Sequence, residues 1–239
     1  MRQNHKKKPP KRQEVTISAM TPSPKRTQHE RREESRERIL DAAEELFAKR
    51  GYHGVTMKDV SREAGVDAGL LHYYFAGKAG VFKAVIDRRA DIVNTTRLAS
   101  MQRYEKEAAG AMTVEGIVRA YLRPTFDFMI EGGDGNRHYA AMIAHLNSAP
   151  DGAIPDIETS PFDPVVQRFV EMLRKARPDC ADADFYWLYH LISGAISLSL
   201  AQTGRIDRLS GGLCRSDDFE AIAERMTKVF GAALDAMSK

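Results

Sequence analysis

The chain has 239 residues, 43% of them hydrophobic and 29% charged, with a formal net charge of +3 at pH 7. That length can bury one sizeable core plus a small satellite domain, and the lack of any apolar run near the ~20 residues of a bilayer span leaves no candidate membrane helix. Two cysteines, Cys180 and Cys214, show no C-x-x-C spacing, which excludes a disulfide scaffold and fits reduced thiols in a cytoplasmic compartment.

Basic residues crowd the first segment, where Arg2, Lys6, Lys7, Lys8, Lys11, Arg12, Lys25 and Arg26 stand against Glu14 and Glu30. Polar and proline-bearing, residues 1–30 cannot bury enough apolar surface to offset their ordering entropy, so a disordered basic arm is expected. The arm has no apolar stretch followed by a small-residue cleavage site, and a chain that stays inside the cell is expected. Its run KKKPPKR can be read as a nuclear address, but sequence-independent attraction to phosphates is the simpler functional reading, and a plain solvated tail competes with both. Met20 offers an alternative start.

From Arg31 the charges mix, and Ile39, Leu40, Ala43, Leu46 and Phe47 recur at helical spacing, predicting a first helix that stops at Gly51. Thr56 then stands three residues before Asp59, a variant of the capping box that opens a short second helix carrying Val60 and Ala64 inward. After Gly65-Val66, Asp67 can cap a third helix with Leu70, Leu71, Tyr74 and Phe75, and Gly77 is expected to close it. From Lys78 a longer helix with Val81, Phe82, Val85, Ile86, Ile92 and Val93 links the two parts. Beyond it the segments 113–130, 136–147, 162–177, 183–203 and 217–237 read as helices, separated by EGGDGN, by residues 148–161 and by GRIDRLSGG. Nothing alternates like a strand, so the fold class is all-α, with a helix-turn-helix domain at 31–80 and a larger helical domain at 81–239.

Two short helices around a glycine turn suit either a plain helical hairpin or a helix-turn-helix, whose second helix enters the DNA major groove. The longer string ERILDAAEELFAKRGYHGVTMKDVSREAGVDAGLLHYYFAGKAGVF, ending at Phe82, resembles the N-terminal domain of the tetracycline-repressor (TetR) family. The agreement lies in I-L-x-A-A-x-x-L-F, Gly51-Tyr52, Thr56, the Ala64-Gly65-Val66 turn, Gly69, the Leu71 to Phe75 block and Lys78. The resemblance implies that Thr56 and Lys58 touch the DNA backbone or a nearby base, and that Tyr73, Tyr74 and Lys78 contact phosphates. Core packing competes for Tyr74 and prevails for Phe75. At the base-reading positions the chain departs from the family pattern: Asp67 stands where serine is frequent, Ala68, Gly69 and Leu70 offer no polar group, and His72 replaces a tyrosine. Apolar contact with thymine methyls is then expected, with Lys58 or His72 adding hydrogen bonds, unless His72 is merely a neutral surface residue.

The resemblance further implies a homodimer on double-stranded, palindromic operator DNA and a small-molecule effector, with residues 81–239 supplying ligand binding and dimerisation. The C-terminal helices most resemble the fatty-acid-responsive members, and a repressor released by a small apolar or fatty-acid-like effector is the leading expectation. Pocket candidates are Tyr121, Phe126, Phe128, Met129, Met142, His145, Trp187 and His190, any of which equally suits simple core. Interface candidates are Val166, Phe169, Val170 and Leu173, a stripe that a monomeric core also explains, with Ser193, Gly194 and Ser197 allowing close helix approach. No cofactor or metal is expected, because His138 and His145 lack further ligands, and Gly132 to Gly135 reads as a turn rather than a phosphate loop. The chain has no G-x-S-x-G elbow, H-E-x-x-H or dinucleotide fingerprint, which argues against an enzyme. A nonspecific architectural DNA binder and a helical lipid carrier are the alternatives.

Overall fold

The computed structural model describes residues 27–148 and 161–237. Most of the expected basic arm therefore lies outside the described residues, but its last few do not. Helix α1 (Gln28–Arg50) begins where Thr27 and Glu30 cap one another, Thr27 N donating to Glu30 Oε2 at 2.7 Å and Glu30 N to Thr27 Oγ1 at 3.2 Å. Residues 28–30 thus belong to a helix and not to the arm. A helix end needs satisfied backbone donors rather than apolar side chains, and the apolar pattern alone could not locate it.

Helices α2 (Met57–Ala64), α3 (Ala68–Tyr74) and α4 (Gly77–Ala108) follow. Phe75, in extended conformation, ends α3, so Gly77 opens α4 instead of closing α3. The body continues through α5 (Val114–Glu131), α6 (Asp134–Ser148), α7 (Asp163–Ala176), α8 (Asp182–Leu200), α9 (Arg205–Leu209), α10 (Phe219–Gly231) and α11 (Ala233–Met237). Asp134 starts α6, so half of the expected Gly132 to Gly135 turn is already helical. The short α9 lies in the stretch expected as loop, and the last expected helix is broken into two after Gly231. No strand occurs among the described residues, and no helix is long and apolar enough to cross a membrane.

Helix α5 runs through the centre of the body, burying Ile117, Val118, Leu122 and Phe126 against α4, α7 and α10. Each such side chain contributes about 1.5–3 kcal/mol relative to exposure. The three N-terminal helices share this core rather than forming their own: Phe47 of α1 meets Phe82 of α4 edge-on, ring centres 5.0 Å apart. A second tie is electrostatic. Glu44 of α1 is buried, and Arg89 of α4 donates to it through Nε at 3.2 Å and Nη2 at 3.1 Å. Arg88 also donates to Glu44 and reaches Asp41 at 2.8 Å and Glu37 at 3.1 Å. Helix α6 seats on the same clamp: a Cβ at Gly135 would stand 2.2 Å from Arg89 Nη2. A side chain there would push the Arg89 guanidinium away from its seat on Glu44.

Candidate functional site

The N-terminal helices build an outward face from local rules. Thr56 caps α2, its Oγ1 accepting from Asp59 N at 3.2 Å and donating to Asp59 Oδ2 at 2.6 Å. The Thr56 hydroxyl and the Thr56 backbone N–H, which donates to the same oxygen at 3.1 Å, with Arg62 alongside, hold the Asp59 carboxyl below the usual carboxylate range. The turn into α3 closes on Gly65 in the left-handed region, where Val66 N donates to Ser61 O at 3.1 Å and Gly65 N to Arg62 O at 3.3 Å. Ser61 Oγ donates to Val66 O at 2.7 Å, and Asp67 Oδ1 accepts from Gly69 N at 2.7 Å to start α3.

Helix α3 buries Leu71, Leu70 is half-buried, and Phe75 is buried at its end. Ala68, Gly69, His72 and Tyr73 are exposed, Tyr73 at 69%, and Lys58 is exposed on α2. The Tyr73 ring meets Tyr74 edge-on, ring centres 5.3 Å apart, and an aromatic held that far into solvent on a packed helix offers its hydroxyl to a partner outside the chain. Three expected DNA contacts already have internal tasks. Thr56 closes its capping box, and the Tyr74 hydroxyl donates to Arg32 O at 2.9 Å, tying α3 to α1. Lys78 Nζ donates to Tyr52 O at 3.0 Å and Val55 O at 3.1 Å and lies 4.3 Å from the Tyr52 ring centre. Lys78 therefore braces the turn before α2.

In the body, a cavity of about 70 Å³ lies where α4, α5, α6 and α8 converge. Its walls include Arg97, Tyr121, Thr125, Tyr139, Ile143 and Ser193. Arg97 Nε and Nη2 donate to Thr125 Oγ1 at 3.0 and 2.6 Å. Burial pushes the Tyr139 and Tyr189 phenols up, so both line the cavity as neutral hydroxyls.

The pocket and interface candidates are rearranged by the fold. Tyr121 lines the cavity, whereas Phe126, Met129 and Met142 are buried elsewhere in the core, and Phe128 packs edge-on to Tyr139 with ring centres 5.9 Å apart. Trp187, His190 and His145 do not line this cavity: all three are exposed, Trp187 and His190 on α8 and His145 on α6, and His190 instead edges a separate, open pocket of about 420 Å³ with Ala144, Gly194 and Leu198. Conversely, Val166, Phe169, Val170 and Leu173 are not an outer interface, because that face of α7 packs into the chain's own core. Ser193 turns to the cavity, while Gly194 is exposed and Ser197 accepts from Asn147 Nδ2 at 2.8 Å. An amphipathic stripe has the same period whether its cover is another helix of the chain or a second copy, and only packing separates the two. Arg97, Thr125, Tyr139 and Asn147 escaped the sequence reading. The available signal was Arg97, which stands four residues from both Val93 and Met101 and so occupies a core position in α4. Among the described residues no group of three or more metal-ligating side chains is assembled.

Comparison with known proteins agrees with this geometry. Residues 39–85 match the description "Bacterial regulatory proteins, tetR family", and residues 119–233 match "Tetracyclin repressor-like, C-terminal domain". The chain is 42% identical over 57 residues to the HTH-type transcriptional regulator SrpR of Pseudomonas putida, covering 24% of this chain and 27% of that protein. It is 31% identical over 107 residues to the HTH-type transcriptional activator FasR of Mycolicibacterium smegmatis, covering 44% of this chain and 45% of that one. The aligned stretches thus span between about a quarter and just under half of these relatives' own length. Among solved structures, a tetR family transcription regulator from Shewanella sp. PV-4 superposes with a TM-score of 0.62 at 14% identity, covering 84% of this chain and 97% of that one. FadR of Bacillus subtilis, solved in complex with stearoyl-CoA, superposes with a TM-score of 0.52 at 14% identity, covering 82% and 97%. With both of its halves matched to that family and its helix-turn-helix in place, the chain belongs to the TetR family of transcriptional regulators.

Proposed function

We propose that two copies of this chain bind a palindromic operator through paired α3 helices and repress transcription until a small apolar or fatty-acid-like effector enters the α4–α8 cavity. The observation that carries the reading is the exposed row on α3. Ala68 and Gly69 at its capped start have no bulk to hold the backbone away from base edges, and thymine methyls suit such contacts. His72, Tyr73 and Lys58 flank them with hydrogen-bond donors for phosphates or bases.

Helix α8 supports the dimer. Trp187, Leu191 and Leu198 are 60%, 51% and 68% exposed, and with Gly194 between them they form one apolar stripe at helical spacing. A second copy related by a two-fold axis would cover that stripe with its own. The cavity and the DNA face share supports: α4 and α6 both line the cavity and both pack on α1. An effector that spreads α4 from α6 would shift the Glu44 clamp and alter the spacing of the two α3 helices. By linkage, operator DNA then weakens the effector by the same factor.

The test is binding of the full-length protein to DNA flanking its own gene, with excess random DNA, at two salt concentrations, beside a chain beginning at Thr27. A competitor-resistant complex retained without the arm supports the reading, and a reporter under that operator gives the sign of regulation. Binding lost with the arm or to random DNA marks a nonspecific, charge-driven binder and overturns it. Leu198→Asp should turn the dimer into monomer in sedimentation and abolish tight operator binding; an unchanged sedimentation coefficient removes α8 from the interface.

A further inference from the structure

Arg97 is 5% exposed, and the charge it carries is uncompensated among the described residues. Its Nε edge is taken by the Thr125 hydroxyl, and its guanidinium lies 4.5 Å from the centre of the Tyr121 ring. A neutral hydroxyl and a ring face orient a guanidinium without neutralising it. The contrast with other arginines is direct: Arg88 and Arg89 meet Glu44, and Arg168 meets Glu105, although all three side chains are more exposed than Arg97. Among the described residues the cavity walls supply no counter-charge, since their tyrosines are neutral and the remaining lining groups are amide, hydroxyl or apolar; the exposed Asp163 acts on Tyr189 from outside the lining and makes no ion pair with Arg97.

We infer that this cavity receives the carboxylate of a small organic acid, paired with the free edge of the Arg97 guanidinium, with the acid's apolar part against Ile143, Ile196 and Leu200. The inference rests on the reading of the cavity as the effector site and adds the chemical class of the effector. Arginine matches carboxylate because its planar fork presents parallel donors, and Thr125 already fixes the fork's orientation. A volume of about 70 Å³ is roughly two waters' share of liquid volume, which fits a carboxylate on a short chain. A longer chain has to part the helices, and parting α4 from α6 is the movement that reaches α1.

The test is calorimetric titration of the full-length protein, without DNA, using butanoate, hexanoate, decanoate and benzoate beside their primary amides. At least one acid binds, and its amide binds about 30-fold more weakly or worse, as for a buried charge deprived of its partner. Arg97→Met brings acid down to the level of amide, while its ligand-free Tm equals or exceeds that of the wild type, because an apolar side chain replaces an uncompensated charge. Arg97→Lys, which keeps the charge and loses the fork, weakens the acid and leaves the amide unchanged. Acids and amides binding alike, no acid of the panel binding, or Arg97→Met retaining acid binding each overturns the inference. Acid binding that persists while operator DNA stays bound would break the release mechanism instead and leave the Arg97 assignment standing.

Discussion

The first three helices and the body behind them solve different problems with the same side chains. In α1 to α3 the functional surface is what remains outside once local rules are satisfied: caps at Thr56 and Asp67, a left-handed Gly65, and Leu71 and Phe75 turned inward. In the body the site is an interior, assembled from Arg97 on α4, Tyr121 and Thr125 on α5, Tyr139 on α6 and Ser193 on α8. A surface can be read from one short window of sequence, whereas an interior needs several helices brought together from positions far apart in the chain. The comparison also explains where the two regions meet. The Glu44 clamp is a buried charge cluster, and unlike Arg97 it is paired on both sides.

The sharpest way to break this contrast is Phe169→Ala. If α7 faces the chain's own core, the substitution costs about 3–5 kcal/mol in chemical denaturation through loss of burial and the cavity left behind. A near-normal unfolding midpoint with weakened self-association would return α7 to the interface. Next in size is Glu44→Ala, which strands the Arg89 guanidinium between α1 and α4, leaves Arg88 only Asp41 and Glu37, and costs about 3 kcal/mol in the same measurement. Because the clamp joins the DNA face to the body, operator affinity should fall with stability; full operator affinity at a lowered midpoint would show that the clamp does not position α3.

Smaller effects separate contact from support on the DNA face. Tyr73→Phe should weaken operator binding by about 1–2 kcal/mol with no change in unfolding, as expected for a lost charge-assisted hydrogen bond to a phosphate. Tyr74→Phe should do the reverse, lowering stability by about 1 kcal/mol through the lost bond to Arg32 O while the exposed face stays intact. Equal behaviour of the two variants in a filter-binding and denaturation pair would erase the distinction between them. Smallest is a pH effect at the α2 cap. The folded-state Asp59 pKa lies below its unfolded value, so its stabilisation is present above the unfolded value and is lost as pH falls through the folded one. Protection from amide exchange at the start of α2, taken relative to the intrinsic rate at each pH, should therefore fall below about pH 4 and stay level between about pH 5 and 7.

Much of the fold was legible from the residues alone. Period 3.6 marked the long helices, and the turn chemistry of Thr56, Gly65 and Asp67 acts within four residues, so it survives whatever packs around it. The start of α1 at Gln28, the short α9 and the break after Gly231 were less visible, because helix ends depend on backbone groups finding partners and carry a weak side-chain signature.

Of the α3 residues that the family resemblance singled out, Ala68, Gly69, His72 and Tyr73 are exposed and Leu70 is half-buried, yet the resemblance could not show that Tyr74 and Lys78 use their donors inside the molecule. Nor could periodicity tell which apolar stripe faces the chain's own core and which faces outward. Phe169 and Leu198 both sit on such stripes, but one is buried by α5 and α8 and the other is open. What the sequence by itself determined is the helical class, the helix-turn-helix and its exposed row, since these follow from interactions a few residues apart. Only the tertiary structure decided which stripe is core, where the cavity lies, and that Arg97 stands inside it with no counter-charge among the described residues. Burial and charge compensation are properties of neighbours in space, and Thr125 and Tyr139 lie 28 and 42 positions along the chain from the arginine they surround.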